Sequence, residues 1–482
     1  MISNIDDVVS LMKRRGFVYP GSEIYGGVAN TYDYGPMGVE LLRSIRNLWW
    51  DFFVTRREDL VGIEASMISS HRVWDASGHT SGFSDAMIDC KNCQLRKRVD
   101  HLIEEYLDQH EVKELAKASY DSSIISEEIF QKVITTKKVE GLSLPQFDAL
   151  IRAWSISCPS CHKFDWTPSR KFNLLFPVHL GIIEGEQSLA YLRGETAQGM
   201  FINFKNVMDT SRVKLPFGIA QTGKSFRNEI TLGNSIFRTI EFDQGEIEYF
   251  FDPDKTDWKV LFEHWCSQMW TFVTKELGIK DENLRWRVHS DEERSFYSKE
   301  TQDLEYNFPF GFKELWGLAY RTDYDLKQHM LHSGVDLSVF DVETGKRIIP
   351  HVIEPAVGLN RILLMILCDA YTVDTEKKRT VLKLHPKLAP VQVAVFPLVS
   401  NKPELVDKAR EVHAMLKPLA RTAWDARGNI GKRYLYQDEI GTPYAITVDY
   451  QTLEDETVTV RHRDTASQER VSIEKLHAYM QL

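Results

Sequence analysis

The 482-residue chain has no apolar run approaching the twenty or so residues that cross a bilayer, which excludes a helical membrane protein and leaves no membrane partner to expect. Its opening stretch, MISNIDDVVSLMKRRGF, lacks the basic start, apolar block and small-residue cleavage site of a secretory leader, so a cytoplasmic location is expected. Positive charge is in deficit. The 59 lysines and arginines face 69 aspartates and glutamates, a net charge of −10, which argues against non-specific nucleic-acid binding by the whole surface while leaving room for a local basic face. Cysteine is sparse: of six, four fall in two CxxC pairs, which favours a metal site or redox motif over a disulfide framework. A regular alternation of strand and helix is also missing. From about residue 170 to 370 short strands follow one another, the pattern of a mainly antiparallel sheet within an α+β fold.

The length exceeds what one hydrophobic core serves, so two or three domains are expected. Residues 1–89 carry the glycine-rich run GSEIYGGVANTYDYGPMG and then the amphipathic helix VELLRSIRNLWWDFFVTR. Leu41, Leu42, Ile45, Leu48, Trp49, Phe52 and Phe53 recur at helical spacing, as either a core helix or a subunit interface would require. Residues 90–161 read as an insertion flanked by CKNC and CPSC. Cys90, Cys93, Cys158 and Cys161 match tetrahedral structural zinc or, alternatively, two unrelated thiol pairs. After LHPKLAP, residues 385–482 read as a small α/β domain: strand VQVAVFPLV, helix NKPELVDKAREVHAMLKPLA, strand-like YLYQDE and YAITVDY, and alternating TVTVRHRD.

In SFRNEI a strand would put Arg227 and Glu229 on one face, with TLGNS turning into a second strand, IFRTIEFDQGEIEYF. There Arg238, Phe242 and Glu246 share parity, so one face offers arginines for phosphates, a ring for a purine and carboxylates; a salt-bridged sheet surface is the plainer alternative. Parity leaves Glu241 and Asp243 on the other side with no account. In PHVIEPAVGLNRILLMILCDAY a strand ends at Glu354 and Pro355. An apolar helix then carries Arg361 in its first turns, where an anion is a natural partner.

FRNE, RTIEF and GLNR before an apolar helix resemble the second and third signature motifs of class II aminoacyl-tRNA synthetases, and GPMGVELLRSIRNLWW resembles the first. RGETAQG, EPAVGLNR, AYRTDYDL and IGKRYLYQDEIGTPYAITVDY are similar, more narrowly, to the homodimeric glycyl-tRNA synthetases. The resemblance runs over nearly the whole chain. It implies a class II antiparallel-sheet catalytic domain at 1–89 and 162–384, the insertion at 90–161, and an anticodon-binding domain at 385–482. It also implies a homodimer acting on ATP, glycine and tRNA(Gly).

By that resemblance Arg227 binds the α-phosphate, Arg238 and Arg361 the β- and γ-phosphates, and Phe242 stacks on adenine. Asn228, Glu229, Phe237, Thr239, Ile240, Glu241, Glu314, Leu315, Gly358, Leu359 and Asn360 are implied as further nucleotide contacts, with Mg2+ on the triphosphate. Arg227, Glu229 and Arg361 form the implied catalytic set. Glycine is implied to be held by Glu195, Glu246 and Glu354, with Arg321 and Arg98 beside them and Asp243, Gln244, Gly245, Pro355, Ala356 and Val357 lining the site. Ala356 stands where the family usually has serine, and Trp316 where it has a small or acidic residue; either departure is able to alter glycine affinity, in a direction the sequence does not give. Lys432, Arg433, Arg461, His462 and Arg463 are candidates for a basic face toward RNA. Rival readings are a non-catalytic relative of the synthetase fold, a class IIa synthetase for another small amino acid, and a zinc-ribbon nucleic-acid module.

Overall fold

A computed structural model describes residues 4–139, 142–181, 188–229, 233–290, 294 and 297–480. Its central sheet is built, in chain order, from β1 (Leu60–Gly62), β2 (Phe217–Phe226), β3 (Glu241–Phe251), β4 (Leu284–Val288), β5 (Glu300–Phe308), β6 (Gly311–Thr322) and β7 (His351–Gly358). The spatial order is β4-β5-β6-β7-β3-β2-β1. Every neighbouring pair is antiparallel except the edge strand β1, which runs parallel to β2. The antiparallel expectation holds, and the fold is mixed α and β.

The strand period of two decides what each face becomes. One face of the sheet is buried under α1 (Pro36–Trp50) and α4 (Leu359–Ala370), in a core that includes Trp49, Phe53, Trp265, Ile247, Tyr249 and Trp316. The opposite face is covered by α2 (Ala197–Ile202) and α3 (Tyr324–Ser333) around Phe201, Phe250 and Leu326. Farther along this second face lies a polar cavity. Within α1 and the turn after it, Trp49 and Phe53 are fully buried and Phe53 packs on Trp265 and Trp316. The chain's own core takes up those aromatics, so their number gives no reason to place a subunit interface there.

Residues Ser84–Asp89, Arg96–Arg98 and Arg170–Asn173 form a separate three-stranded sheet. The helices between them, Val99–Asp108, Val112–Asp121, Glu127–Thr136 and Leu144–Ala153, bury their own core around Leu102, Ile103, Val133 and Leu150. The last part of the chain has a five-stranded sheet in the order Thr422–Trp424, Val393–Pro397, Tyr444–Val448, Thr457–His462, Gln468–Ser472.

Two expectations for this last part fail. YLYQDE is not strand-like; it lies in α5 (Ile430–Ile440). The Asn429 side chain accepts from the Lys432 amide at 2.9 Å, Gly441 ends the helix at φ 81°, and the buried Arg433, Gln437 and Ile440 fall at helical spacing. The expected basic face also dissolves. Arg433 is buried and donates to the carbonyls of Pro397, Ala426, Arg427 and Gly428, while Arg463 donates to the Gly441 carbonyl and to Asp464. Arg461 forks onto Asp438 at 2.8 and 2.9 Å. His462 is half-buried against the Tyr479 hydroxyl, and only Lys432 of the five is exposed.

Asp438, with 0% of its surface exposed, also accepts from Arg379 of the strand Arg379–Leu382 at 2.9 Å. Removing one partner of a buried ion pair leaves the others desolvated and uncompensated. Asp438→Ala is expected to lower stability by about 3–5 kcal/mol, read by chemical denaturation.

Candidate active site

Strand β2 stops at Phe226, so the FRNE stretch leaves the sheet rather than lying along it. The backbone bonds show why. Arg227 N donates to Ile240 O at 2.8 Å, Asn228 N to Leu174 O at 2.8 Å, and Glu229 N to Arg227 O at 2.6 Å, a local turn. Ile230, Thr231 and Leu232 lie outside the described residues. The returning strand begins only at Glu241, after a 3-10 turn at Ser235–Phe237. The hairpin is therefore real, with Phe226 opposite Glu241, but Arg227, Glu229 and Arg238 reach the cavity from its loops. Shared parity holds only for Phe242, Gln244 and Glu246 within β3.

These loops form a cationic end to a cavity of about 260 Å³. Arg227 donates Nε to the Gly194 carbonyl at 3.0 Å, and its guanidinium lies 5.4 Å from the Phe242 ring centre and 5.2 Å from that of Phe83. Arg361, in the first turn of α4, sits over the Phe237 ring at 4.6 Å and pairs with Glu314 at 2.9 Å. The Arg361 charge holds the Glu314 carboxyl below the usual carboxylate range. Arg238 lies 3.8 Å from Glu229. Strand β7 runs on to Gly358, so Glu354 and Pro355 lie inside the strand and not at its end.

The other end of the cavity is acidic, and it is organised by one guanidinium. Arg321 of β6, 1% exposed, donates to Glu354, forks onto Asp325 at 2.7 and 2.8 Å, and lies 3.9 Å from Glu195. The Tyr297 ring covers its flat face at 3.9 Å. Gln198 donates to both Glu195, at 3.0 Å, and Asp325, at 3.1 Å, and His79 Nε2 lies 3.2 Å from Glu195. Burial opposes ionisation of Glu195, yet the His79 and Arg321 charges outweigh it and keep that carboxyl below its usual range. Glu246 accepts from Thr196 and, at 3.0 Å, from Gln244. Burial and the neighbouring Glu354 and Glu195 charges push its carboxyl well up.

The opposite face of β3 explains Glu241, Asp243 and Gly245. Arg46 of α1 donates to Asp243, and Lys224 lies 2.8 Å from Glu241 and 3.4 Å from Asp243. Asp243 N donates to the Asn360 side chain at 2.5 Å. A Cβ on Gly245 would meet the Trp49 ring at 3.0 Å, so the glycine lets α1 lie against the strand. These residues lock helices to the sheet and turn away from the cavity.

Of the expected residues, Glu195, Arg227, Glu229, Phe237, Arg238, Thr239, Phe242, Gln244, Glu246, Glu314, Glu354, Ala356, Val357, Gly358, Asn360 and Arg361 line the cavity. Arg321 stands behind its acidic wall. Leu315 and Leu359 have 0% exposure in the core, as does Trp316, which packs on Phe53 and Phe272. Trp316 therefore does not face the cavity, and an effect of this departure on the ligand would have to act through the core. Arg98 is outside the lining, held by Asp85 at 3.1 Å and Asp100 at 2.6 Å. Asn228, Ile240 and Pro355 contribute no lining side chain. Sequence reasoning missed His79, Thr196, Gln198, Tyr297 and Asp325. Thr196 and Gln198 stand in RGETAQG and Asp325 in AYRTDYDL, stretches already set apart, and Asp325 also lies i, i+4 from Arg321.

The four cysteines meet despite the long gap between their pairs. Cys90 and Cys161 sulfurs lie 3.6 Å apart, as do those of Cys93 and Cys158, and all four lie within 4.8 Å of one another. Each CxxC is followed by a left-handed residue, Gln94 or His162, whose amide donates back to the first cysteine of its pair. The two knuckles are brought together by the bridge between Cys90 and Trp166.

An antiparallel sheet carrying arginines over one end of a cavity and a buried acidic set at the other, with a separate five-stranded domain after it, is the architecture of a class II aminoacyl-tRNA synthetase. The comparisons with known proteins agree. Residues 392–481 match the model of an anticodon binding domain, and residues 85–174 that of glycyl-tRNA synthetase insertion domain 1. The chain is 48% identical to glycine–tRNA ligases of Clostridium tetani, over 99% of this chain and 97% of the relative, and of Clostridium acetobutylicum, over 99% and 98%. It is 46% identical to that of Geobacillus thermodenitrificans, over 100% and 97%. The chain belongs to the glycine–tRNA ligase family.

Arg321→Met is expected to lower stability by about 3–5 kcal/mol, because Glu354, Asp325 and Glu195 lose their cation. Without it the folded-state pKa values of Glu354 and Glu195 rise, so the loss grows as pH rises. Denaturation at pH 5 and at pH 8 reads this as a larger deficit at pH 8.

Proposed function

We propose that this chain attaches glycine to tRNA(Gly) at the expense of ATP through a glycyl-adenylate. The observation that carries the reading is the polarity of the cavity, cationic where the arginines enter from the hairpin loops and α4, acidic where Arg321 gathers its carboxylates. A ligand with an anionic chain at one end and an ammonium at the other matches both.

The glycine carboxylate oxygen attacks the α-phosphorus of ATP, the bond to the bridging oxygen breaks, and pyrophosphate leaves. The hydroxyl of the tRNA's terminal adenosine then takes the glycyl group and releases AMP. No side-chain nucleophile is required; rate comes from alignment and from charge placed where it develops. Arg227, anchored through Nε at Gly194, has its terminal nitrogens for the α-phosphate, with Phe242 beside the adenine. Arg238 and Arg361 hold the outer phosphates, and Glu314, beside Arg361, would hold Mg2+, which would supply neutralising charge for the leaving pyrophosphate. Glu195, Glu246 and Glu354 accept from the ammonium. A side chain on the substrate's α-carbon would have to enter this crowded acidic wall, which disfavours larger amino acids. Arg98, already held by two aspartates, takes no part in holding the ammonium.

The reading extends to a homodimer in the cytoplasm and to structural zinc on Cys90, Cys93, Cys158 and Cys161. Burial pushes the Cys158 thiol up to about 11, while the Lys163 amide helps bring Cys161 down to about 6, and four sulfurs in two knuckles suit a tetrahedral dication. Metal analysis is expected to give one zinc per chain, reduced in Cys93→Ser, with light scattering of the same sample giving twice the chain mass; a metal-free folded chain would contradict the zinc assignment.

Arg227→Ala tests the catalytic assignment. It is expected to reduce glycyl-adenylate formation by about a thousandfold with an unchanged melting transition. Near-normal charging of tRNA(Gly) by this variant would remove Arg227 from the mechanism.

A further inference from the structure

One buried carboxyl in the acidic end has no part in the account so far. Glu248 of β3 is 0% exposed, and neither of its carboxylate oxygens has a hydrogen-bond partner. It lies two residues beyond Glu246 on the same face of the strand. The β3–β7 register pairs Glu246 with Ala356 and Tyr249 with Ile353, which sets Glu248 across from Glu354. Carboxylate oxygens of Glu246, Glu248 and Glu354 all lie within 4.8 Å of one another.

An ionised carboxylate there would sit out of water with nothing donating to it, beside other acids. The charged groups that bear on it are Glu246 on its own strand, Glu354 on β7, Arg321 on β6 and Asp325 on α3. The lone cation, Arg321, is already committed to Glu354 and Asp325. Burial first, and then the Glu354 charge, push the Glu248 carboxyl well above its ordinary range; burial raises the Glu354 carboxyl as well, but there the Arg321 hydrogen bond and charge oppose it. A neutral carboxylic acid differs from a carboxylate in having a proton to donate. Both Glu246 oxygens already accept, from Thr196 and Gln244, whereas Glu354 accepts from Arg321 through one oxygen.

We propose that Glu248 is a positioning residue of the ammonium site: it carries its proton, donates it to the Glu354 carboxylate across the ladder, and holds that acceptor toward the ligand while adding no charge. The inference rests on reading the pocket as the glycine site. It assigns to β3 a second glutamate whose part differs from that of Glu246. Glu246 meets the ammonium directly; Glu248 acts through Glu354. The arrangement lets several acids crowd one small pocket without their full mutual repulsion, as happens where two carboxyls share one proton.

The test compares Glu248→Gln, which keeps a neutral donor, with Glu248→Met, which keeps the volume and loses the donor. In glycine-dependent ATP–pyrophosphate exchange, Glu248→Met is expected to raise the glycine KM by about tenfold with the ATP KM unmoved, the size of one lost hydrogen bond to a charged group. Glu248→Gln should return the glycine KM to near the wild-type value. A glycine KM unaltered in Glu248→Met would mean mere packing and overturn the proposal; so would Glu248→Gln failing as badly as Glu248→Met. An infrared difference spectrum between wild type and Glu248→Gln at pH 8, needing no activity, should show the C=O stretch of a protonated carboxyl lost from the variant. A lost carboxylate band instead would overturn the proposal whatever amino acid the enzyme uses. Absence of glycine exchange in the wild type would count against the glycine reading and leave the infrared result to decide on Glu248.

Discussion

A guanidinium with 1% of its surface exposed needs acceptors in place of the water it has lost, and Arg321 takes carboxylates for them, which makes it the organising constraint of the site. Glu354 comes to it from β7, Asp325 from α3, and Glu195 from the turn before α2. Glu195 and Glu354, distant in sequence, and Asp325, one helical turn on, are thereby fixed around one planar fork. Gln198 and His79 complete the arrangement by holding Glu195 in place. The pocket's acidity is thus inseparable from its stability, since the groups offered to a ligand are those that keep Arg321 solvated.

The sheet divides labour by parity. On β3, Phe242, Gln244 and Glu246 face the cavity, while Asp243 and Gly245 face α1 through Arg46 and Trp49. An alternating strand can therefore serve the ligand and the core with successive residues. The hairpin loops add what a strand cannot supply, arginines that reach over the cavity from its rim. Loops of this kind carry function because the sheet beneath them is rigid. The insertion and the C-terminal domain each bury a core of their own, and Asp438, taking Arg379 and Arg461 together, ties the latter to the hairpin of Tyr371–Asp374 and Arg379–Leu382.

Much of this was legible in the chain. Strand runs without βα alternation gave the antiparallel sheet, and sixteen of the expected residues line one cavity. What failed did so for physical reasons. FRNE reads as a strand by period, but its amides bond to Leu174 and Ile240, partners that only the tertiary fold supplies. YLYQDE looks β-prone by composition, yet Asn429 and Gly441 cap it as a helix, and these local caps outweigh that propensity. The arginines of the C-terminal domain read as a surface charge cluster because nothing in the sequence reveals Asp438 or the waiting carbonyls. Glu248 was invisible for a related reason: a glutamate in QGEIE reads as an exposed alternate position until the opposite strand is known to bring Glu354 across from it.

The central claim is that this acidic pocket, organised by Arg321, selects an amino acid with no side chain. Its most direct test is ATP–pyrophosphate exchange by the purified wild-type chain with glycine, alanine, serine, threonine and proline in turn. The account predicts exchange with glycine and at most trace exchange with the others. Comparable exchange with alanine or serine, or none with glycine in a folded sample supplied with magnesium, would contradict it.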